Sequence, residues 1–168
     1  MKRSIVYFLP LLVLLLALQG CGVYSFTGAN IEGKTINIHL LENRARNVVP
    51  SLSATLTDKI RSRILSQTGL SPVNTDNADY DITGSITAYD VTVSGVQSVQ
   101  VASKNRLTVT LQVIFKNRLN DKASFTQSFT RFADFDAAQV LQNVETGLID
   151  DIGNQLSDDI FNKAFVNW

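Results

Sequence analysis

The chain is poor in the residues that build disulfides, metal sites and rigid turns. Its 168 residues include one Cys, one His, one Trp and three Pro. A single Cys forms no internal disulfide, and one Cys with one His is too few for the common zinc sites. The 15 basic side chains balance the 15 acidic ones, so no strongly basic surface for nucleic acid is expected. These counts leave a chain whose length favours one domain with a sizeable core.

Sequence patterns for catalysis are absent as well. The chain has neither a Gly-x-Ser-x-Gly elbow nor a glycine-rich phosphate loop. His39 falls on the polar side of a predicted strand and is interpreted as a surface residue. Asp151 and Asp158 share one face of a predicted helix, but they stand about 10 Å apart along its axis, too far to share one cation. We therefore predict no enzymatic activity, no cofactor and no metal ion.

A short apolar run stands at the N-terminus. Lys2 and Arg3 precede residues 5–18, a stretch of 14 mostly apolar residues without a charge. As a helix it would be about 21 Å long, short of the roughly 30 Å hydrocarbon core of a bilayer. A positive start followed by a short apolar stretch is typical of a secretory signal peptide, which we assign to residues 1–20.

The residues around the predicted cleavage point indicate a lipid anchor. Leu18-Gln19-Gly20-Cys21 resembles the bacterial lipobox, with Gln19 where a small residue is usual. The resemblance implies that Cys21 carries diacylglycerol on its sulfur and a further acyl chain, such as palmitate, on its amine. Two or more chains hold a protein stably, at about 0.8 kcal/mol per buried CH₂. The alternative is an ordinary secreted protein with a free Cys.

The residues after Cys21 are interpreted as a tether. Residues 21–33 are small and turn-prone, and about a dozen residues extend to roughly 40 Å. No acidic residue follows Cys21 before Glu32, which favours an outer-membrane anchor with the body facing the periplasm. Residues 34–168 are predicted to form a single domain.

The first half of this domain has the periodicity of a strand followed by a helix. Apolar residues alternate with polar ones over 34–40, which predicts a half-buried strand. After a polar loop, four apolar residues recur at helical spacing: Leu52, Leu56, Ile60 and Ile64. Ser51 is the expected N-terminal cap of this helix, and Gly69 marks its end. Residues 70–74 are predicted to form a short strand.

The second half begins with patterns typical of antiparallel strands. Residues 78–93 form a β segment whose apolar phase changes near Ala88, which indicates a bulge or a bend. The clearest alternation runs over 107–115. A turn at 117–122 is predicted to lead into a return strand over 123–132.

Two further segments complete the domain: residues 134–142, predicted to be a loop or one helical turn, and a long amphipathic helix over 143–165. Gly153 costs this helix about 1 kcal/mol relative to Ala. The predicted order is β-α-β-β-β-β-α, with a right-handed parallel crossover first and antiparallel hairpins after it. Two helices with one apolar stripe each need one sheet face to cover. We therefore predict an α+β two-layer sandwich, with two helices packed on one face of a mixed, mostly antiparallel sheet whose other face is partly exposed.

Charge is distributed unevenly along the domain. Residues 43–63 hold five basic side chains and one acidic one, whereas residues 134–160 hold seven acidic side chains and no Lys or Arg. One interpretation is a basic surface for the phosphate of an anionic lipid, because Arg binds phosphate bidentately. The other is that the two helices lie side by side and their outer faces pair with each other.

A polar segment separates the two longest predicted strand regions. Residues 91–104 are rich in Thr, Ser and Gln and carry Val96, Val99 and Val101. The segment is interpreted either as an extended hairpin that inserts into a partner or as an ordinary loop. The sequence does not decide between these two interpretations.

Six segments, taken in chain order, carry a resemblance to a known family. They are Cys21–Phe26, Thr35–Leu40, Val49–Leu52, Asn105–Val109, Phe129–Phe135 and Phe161–Trp168. They resemble the LptE lipoproteins of outer-membrane lipopolysaccharide assembly, in the version found in Bacteroidota. The resemblance covers essentially the whole mature chain and rests on the order of the segments.

The resemblance implies a non-enzymatic subunit that sits as a plug inside the large β-barrel LptD and assists its assembly. That pair delivers lipopolysaccharide to the outer leaflet, and the family fold has two helices on one sheet. Basic loop residues of the family contact lipopolysaccharide. Candidate contacts with lipopolysaccharide or the barrel in this chain are Arg44, Arg46, Lys104 and Arg106.

A second function stays open at this point. The chain is alternatively another periplasmic lipoprotein, such as a lipid carrier or an accessory subunit of a different envelope complex. A carrier needs a closed apolar cavity between sheet and helices, whereas a plug needs a filled core.

Overall fold

The computed structural model describes residues 31–47, 49–95 and 104–166. The predictions for the signal peptide, for Cys21 and for residues 96–103 lie outside the described residues. Within the described ranges the chain forms six strands and two helices: β1 (Thr35–Ile38), β2 (Glu42–Asn43), α1 (Leu52–Thr68), β3 (Ser71–Pro72), β4 (Tyr80–Val93), β5 (Lys104–Asn117), β6 (Phe125–Asp136) and α2 (Leu141–Phe165). A short 3-10 turn, Asp121–Ala123, joins β5 to β6.

The strands form one mixed sheet in the order β3-β1-β4-β5-β6, and β2 also pairs with β4. β1 is parallel to β3 and β4, whereas β4, β5 and β6 are antiparallel neighbours. The predicted α+β class and the mixed, mostly antiparallel sheet are confirmed. β2 is an additional strand in the segment predicted to be a polar loop. Its two residues are too few to show any alternation.

Both helices cover one face of the sheet and pack against each other. Alternate residues of β5 point towards them and are fully buried: Leu107, Val109, Leu111, Val113 and Phe115. The apolar stripe of α1 and the stripe of α2 join the same continuous cluster of buried side chains. Each fully buried Leu, Ile or Phe stabilises the fold by roughly 1.5–3 kcal/mol. The space between helices and sheet is therefore filled by packed side chains.

A β-bulge in β4 explains the change of apolar phase in the sequence. Ile86 lies opposite Leu111, and the register then shifts so that Tyr89 lies opposite Val109. The extra residue shifts the alternation of side chains along the strand by one position. Both Ile86 and Tyr89 therefore stay on the helix side, and both are buried. The bulge predicted near Ala88 is confirmed.

The start of α1 differs from the prediction. Ser51 has helical backbone angles, φ −81° and ψ −15°, and its side chain caps no amide. Its carbonyl accepts the hydrogen bond of Thr55 N–H at 2.9 Å, as a residue of the first turn does. At the other end Gly69 has φ 65°, a left-handed conformation that favours glycine. The predicted end of the helix is confirmed.

β6 runs further than predicted. The predicted loop over 134–142 is strand as far as Asp136, and α2 begins at Leu141. The alternation continues because Phe135 is buried on the helix side, while Asp134 lies on the other face opposite Arg106. Asp134 lies on the exposed face of β6, and because of its charge this part of the strand was predicted to be a loop.

The sheet face without helices is polar and partly exposed, as predicted. Across β4, β5 and β6 it carries mainly hydroxyl and amide side chains: Thr83, Ser85, Thr108, Thr110, Gln112, Thr126, Ser128 and Thr130. We call this surface the open face. The end of the sheet where β4 finishes and β5 starts is the hairpin end, and the end where β1 and β4 start is the Gly33 end.

Candidate functional site

The four candidate contact residues lie towards the hairpin end in two groups. Arg44 and Arg46 belong to the loop after β2, where the backbone N–H of Arg44 donates to the carbonyl of Ile86 at 2.9 Å. With Thr87, Ala88 and Asp90 they line a surface depression of about 480 Å³ beside the bulge. The Arg44 side chain is exposed and forms an ion pair with Glu42 at 2.5 Å.

The second group opens β5. Lys104 is exposed, whereas the guanidinium of Arg106 is held on the open face by Asp134, with N–O distances of 2.7 and 2.9 Å. The guanidinium carbon also lies 3.6 Å from the centroid of the Phe132 ring. The hydrogen bonds from Arg106 lower the pKa of the Asp134 carboxyl, and they raise the pKa of Arg106 itself. The charge of Arg106 is thus fixed in place on the sheet.

The two groups do not form one site. Arg106 lies opposite Thr92 on β4, whereas the depression with Arg46 lies beside Ala88. Four residues of strand separate these positions, which corresponds to about 13 Å. The four basic residues therefore lie along one end of the sheet in two separate groups and do not form one charged site.

The uneven charge of the sequence is explained by pairing between the helices. Lys59 Nζ on α1 lies 3.2 Å from Asp150 Oδ1 on α2. One turn further along α1 and about two turns further along α2, Arg63 Nε lies 2.7 Å from Asp158 Oδ1. Because both pairs advance along both helices, α1 and α2 run in the same direction. Pairing of the helix faces is confirmed for Lys59 and Arg63, whereas Arg44, which forms an ion pair with Glu42, takes no part in it.

A further pair ties α2 to the sheet. Asp159 accepts two hydrogen bonds of 2.6 Å from Arg131 on β6. The bonds raise the pKa of Arg131, since the carboxylate favours the charged guanidinium. This pair was not predicted, because no pattern in the sequence shows which side chain of β6 lies next to which turn of α2.

Gly153 stands where the two helices approach most closely. A Cβ atom at this position would lie 3.2 Å from Leu56 Cδ2 and 3.3 Å from Lys59 Cγ, whereas one at Gly147 would meet nothing within 4 Å. The glycine therefore lets the two helices pack closely without displacing Leu56 and Lys59. It offsets the helix-propensity cost that the sequence shows.

The Gly33 end is tied down by Asp79. Its carboxylate accepts hydrogen bonds from the N–H groups of Lys34 (2.7 Å) and Thr35 (3.0 Å), and from the Thr35 hydroxyl at 3.0 Å. These bonds, the one from Lys34 first, lower the pKa of Asp79. Gly33 N–H donates to the Tyr80 hydroxyl at 3.1 Å. The last residues of the predicted tether therefore meet the body at the end opposite the hairpin end.

Two polar pairs on the sheet were not foreseen. His39 Nε2 lies 3.0 Å from Asp81 Oδ2 and 2.9 Å from Asn37 Nδ2. On the helix side, the Tyr89 hydroxyl donates to Glu145 Oε1 at 2.5 Å, and burial raises the pKa of this tyrosine. The second pair fixes the start of α2 next to the bulge.

The described part of the chain holds no group of three or more His, Cys, Asp or Glu placed to bind a metal ion. Among the described helices, neither is long and apolar enough to cross a bilayer. A groove of about 810 Å³ runs along the outer side of the helix pair, and its lining is polar: Thr55, Asp58, Lys59, Ser62, Arg63, Ser66, Asn154, Ser157 and Asp158.

Comparison with known proteins places the domain in a family. The model of the LptE family, described as lipopolysaccharide-assembly, matches residues 33–164. No curated protein matches the sequence.

Several solved structures resemble the domain. A hypothetical protein from Chlamydia trachomatis is 11% identical with a TM-score of 0.51, over 80% of this chain and 99% of that one. A minor lipoprotein from Acinetobacter baumannii is 18% identical with a TM-score of 0.45, over 80% and 98% of the two chains. An uncharacterized lipoprotein B from Nitrosomonas europaea is 14% identical with a TM-score of 0.49, over 78% and 81%. At such identities the first similarity concerns the fold alone.

Proposed function

The chain belongs to the LptE family of lipopolysaccharide-assembly proteins, and on that premise we propose that it is a lipid-anchored outer-membrane subunit that plugs an LptD-type β-barrel. It assists the assembly of that barrel and the delivery of lipopolysaccharide to the outer leaflet, without catalysing a reaction. The observation that carries the proposal is the family match over residues 33–164, nearly the whole described domain.

The filled core supports a plug in preference to a lipid carrier. A carrier needs an apolar cavity between sheet and helices, but packed side chains occupy that layer, including Leu111, Ile152 and Leu156 at 0% exposure. The lumen of a large barrel is polar. The open face, with its Thr, Ser and Gln side chains, has the surface chemistry that such a lumen accepts.

The chain enters the body at the Gly33 end, opposite the hairpin end. Cys21 is the proposed lipid attachment point, and the chain enters the fold at Gly33. The residues between them span about 40 Å when extended. A body held at the Gly33 end therefore directs its hairpin end away from the anchoring leaflet.

The basic residues of the hairpin end are the proposed contacts with lipopolysaccharide phosphate or with the barrel. Arg46 and Lys104 are exposed. Arg44 only has to break its exposed ion pair with Glu42 in order to bind a phosphate. Arg106 contributes by holding Asp134 and Phe132 in a fixed arrangement on the open face. Replacing Arg44 and Arg46 together by Ala removes the charge of the depression and leaves the core untouched.

The test is recovery of the barrel with the tagged protein. A C-terminal affinity tag is added, the outer membrane is solubilised in mild detergent, and co-purifying proteins are identified by mass spectrometry. We expect an LptD-type barrel in near-equal amount, and loss of surface lipopolysaccharide when the protein is depleted. Isolation without any barrel, combined with normal surface lipopolysaccharide after depletion, would contradict the proposal.

A further inference from the structure

β6 is the outermost strand of the sheet and is fully paired on one side only. All twelve of its residues pair with β5, with no shift of register. In the described part of the chain, no strand pairs with its other side. The outer side of β6 is therefore a continuous backbone edge, about 40 Å long at 3.3 Å per residue.

The pairing on β5 identifies which residues face this edge. Ser94 N–H donates to Lys104 O at 2.7 Å, so the even-numbered residues of β5 direct their backbone groups towards β4. On its other side, Asn117 N–H donates to Ser124 Oγ at 2.9 Å, so the odd-numbered residues of β5 face β6. In β6 the odd-numbered residues bond to β5. The even-numbered residues direct their N–H and C=O groups outwards, and all of them are exposed: Thr126, Ser128, Thr130, Phe132, Asp134 and Asp136.

The edge lacks the features that normally protect an exposed strand. Proteins block such edges with Pro, Lys, bulges or short strands. β6 has no Pro, no Lys and no bulge. Its Arg131 is held by Asp159 and its Asp134 by Arg106, so these charges are committed within the molecule. An edge of this length and regularity is a template for another strand.

We propose that the outer edge of β6 binds an extended segment of the barrel subunit by β-strand addition. This inference rests on the proposed function. The two sides of the edge differ in chemistry: Phe125, Phe129 and Phe135 lie on the helix side, and hydroxyl side chains lie on the open face. A strand added here has to alternate between apolar and polar residues. That alternation is the sequence pattern of strands in membrane barrels.

A second copy of the chain fits the edge less well. A two-fold pairing that uses all six outward residues sets Thr126 against Asp136 of the copy. The same register places Arg131 directly opposite Arg131 of the copy on the helix side. Like charges opposite each other destabilise a strand pair. This register is therefore less favourable for a second copy than for a segment of a different chain.

The test uses two substitutions at one residue in the full-length lipoprotein, produced together with the LptD-type barrel of the same bacterium. Ser128→Pro removes an outward N–H donor and leaves the hydrogen bonds to β5 in place, whereas Ser128→Ala changes only the side chain. We expect recovery of the barrel to fall about tenfold or more with Ser128→Pro and to stay unchanged with Ser128→Ala. The melting temperature of each variant shows whether it is folded.

A photo-crosslinking amino acid at position 128 detects contact with the barrel subunit directly, without the proline variant. Crosslinks from position 128 to one extended barrel segment, absent from position 112 at the middle of the open face, support strand addition. Equal barrel recovery with Ser128→Pro and Ser128→Ala, or crosslinks to a second copy, overturn it while the proposed function stands. A wild-type protein that recovers no barrel overturns both.

Discussion

Gly153 allows a direct test of how closely the two helices pack. We predict that Gly153→Leu destabilises the domain, whereas Gly147→Leu, six residues earlier on the same helix, stabilises it. Leu is favoured over Gly in a helix by about 0.8 kcal/mol, and both variants gain this amount. At Gly147 the added side chain meets nothing within 4 Å of its first carbon. The expected result there is a gain of about 0.5–1 kcal/mol.

At Gly153 the same gain is outweighed by steric overlap. The first added carbon already lies 3.2 Å from Leu56 Cδ2 and 3.3 Å from Lys59 Cγ, so the three further carbons of Leu have to displace these side chains. Overpacking of this kind costs about 1–3 kcal/mol. The net expectation is a loss of up to about 2 kcal/mol, and a separation of about 1–3 kcal/mol between the two variants.

The assay is urea unfolding of the mature chain with Cys21 replaced by Ala, followed by circular dichroism. Both variants are compared with the wild type at the same protein concentration, and the midpoint and slope are fitted together. An unchanged slope shows that the change lies in stability. If Gly153→Leu were as stable as Gly147→Leu, the close approach of α1 and α2 at this position would be wrong.

Three further outcomes follow from the structure. Leu111→Ala, at a fully buried position, should lose about 2–5 kcal/mol of unfolding free energy, and Gln112→Ala on the open face less than about 0.5 kcal/mol; equal losses would refute the assigned faces of β5. Folding lowers the pKa of Asp79 below its ordinary 3.8, so its contribution is present above that pH and is lost as the pH falls through the folded value. Asp79→Asn should therefore be less stable than the wild type at pH 7, with a difference that shrinks below pH 4 in urea titrations; a difference independent of pH would contradict the assignment. Cys21→Ala should move the chain from the membrane to the soluble fraction in cells without the barrel, and a variant that still sediments would exclude the lipid anchor.

The local periodicity was sufficient for most of the fold. The alternation over 107–115 follows from one buried and one solvated face, and it appears in any sheet that helices cover on one side only. The phase change near Ala88 was equally direct, because a bulge is the one way to keep an apolar face across a shift of parity. Both features depend only on neighbours along the chain.

What the sequence did not provide depends on register across the sheet. The sequence around Arg106 does not show that this residue has a charged partner. The partner is evident only when β6 is aligned with β5, because Asp134 then lies opposite Arg106. The same holds for Arg131, whose partner Asp159 stands 28 residues later on a helix. For this reason the predicted end of β6, at residue 132, was too early. Asp134 and Asp136 have low strand propensity, and only the cross-strand arginine explains why the first of them lies within a strand.

The shape of the domain constrains how a plug of this kind can be oriented. β4 has 14 residues and spans about 45 Å, which exceeds the roughly 30 Å hydrocarbon thickness of a bilayer. A body attached near Gly33 on the periplasmic side therefore reaches the level of the outer leaflet with its hairpin end. The edge of β6 runs along the same direction for most of that distance. In the proposed complex this edge faces the inner wall of the barrel, whose strands are themselves tilted by about 35–45° from the barrel axis. A strand within the closed barrel wall is already paired on both sides, so the proposed occupant of the edge is an extended segment of the barrel subunit that carries the same alternation outside the wall.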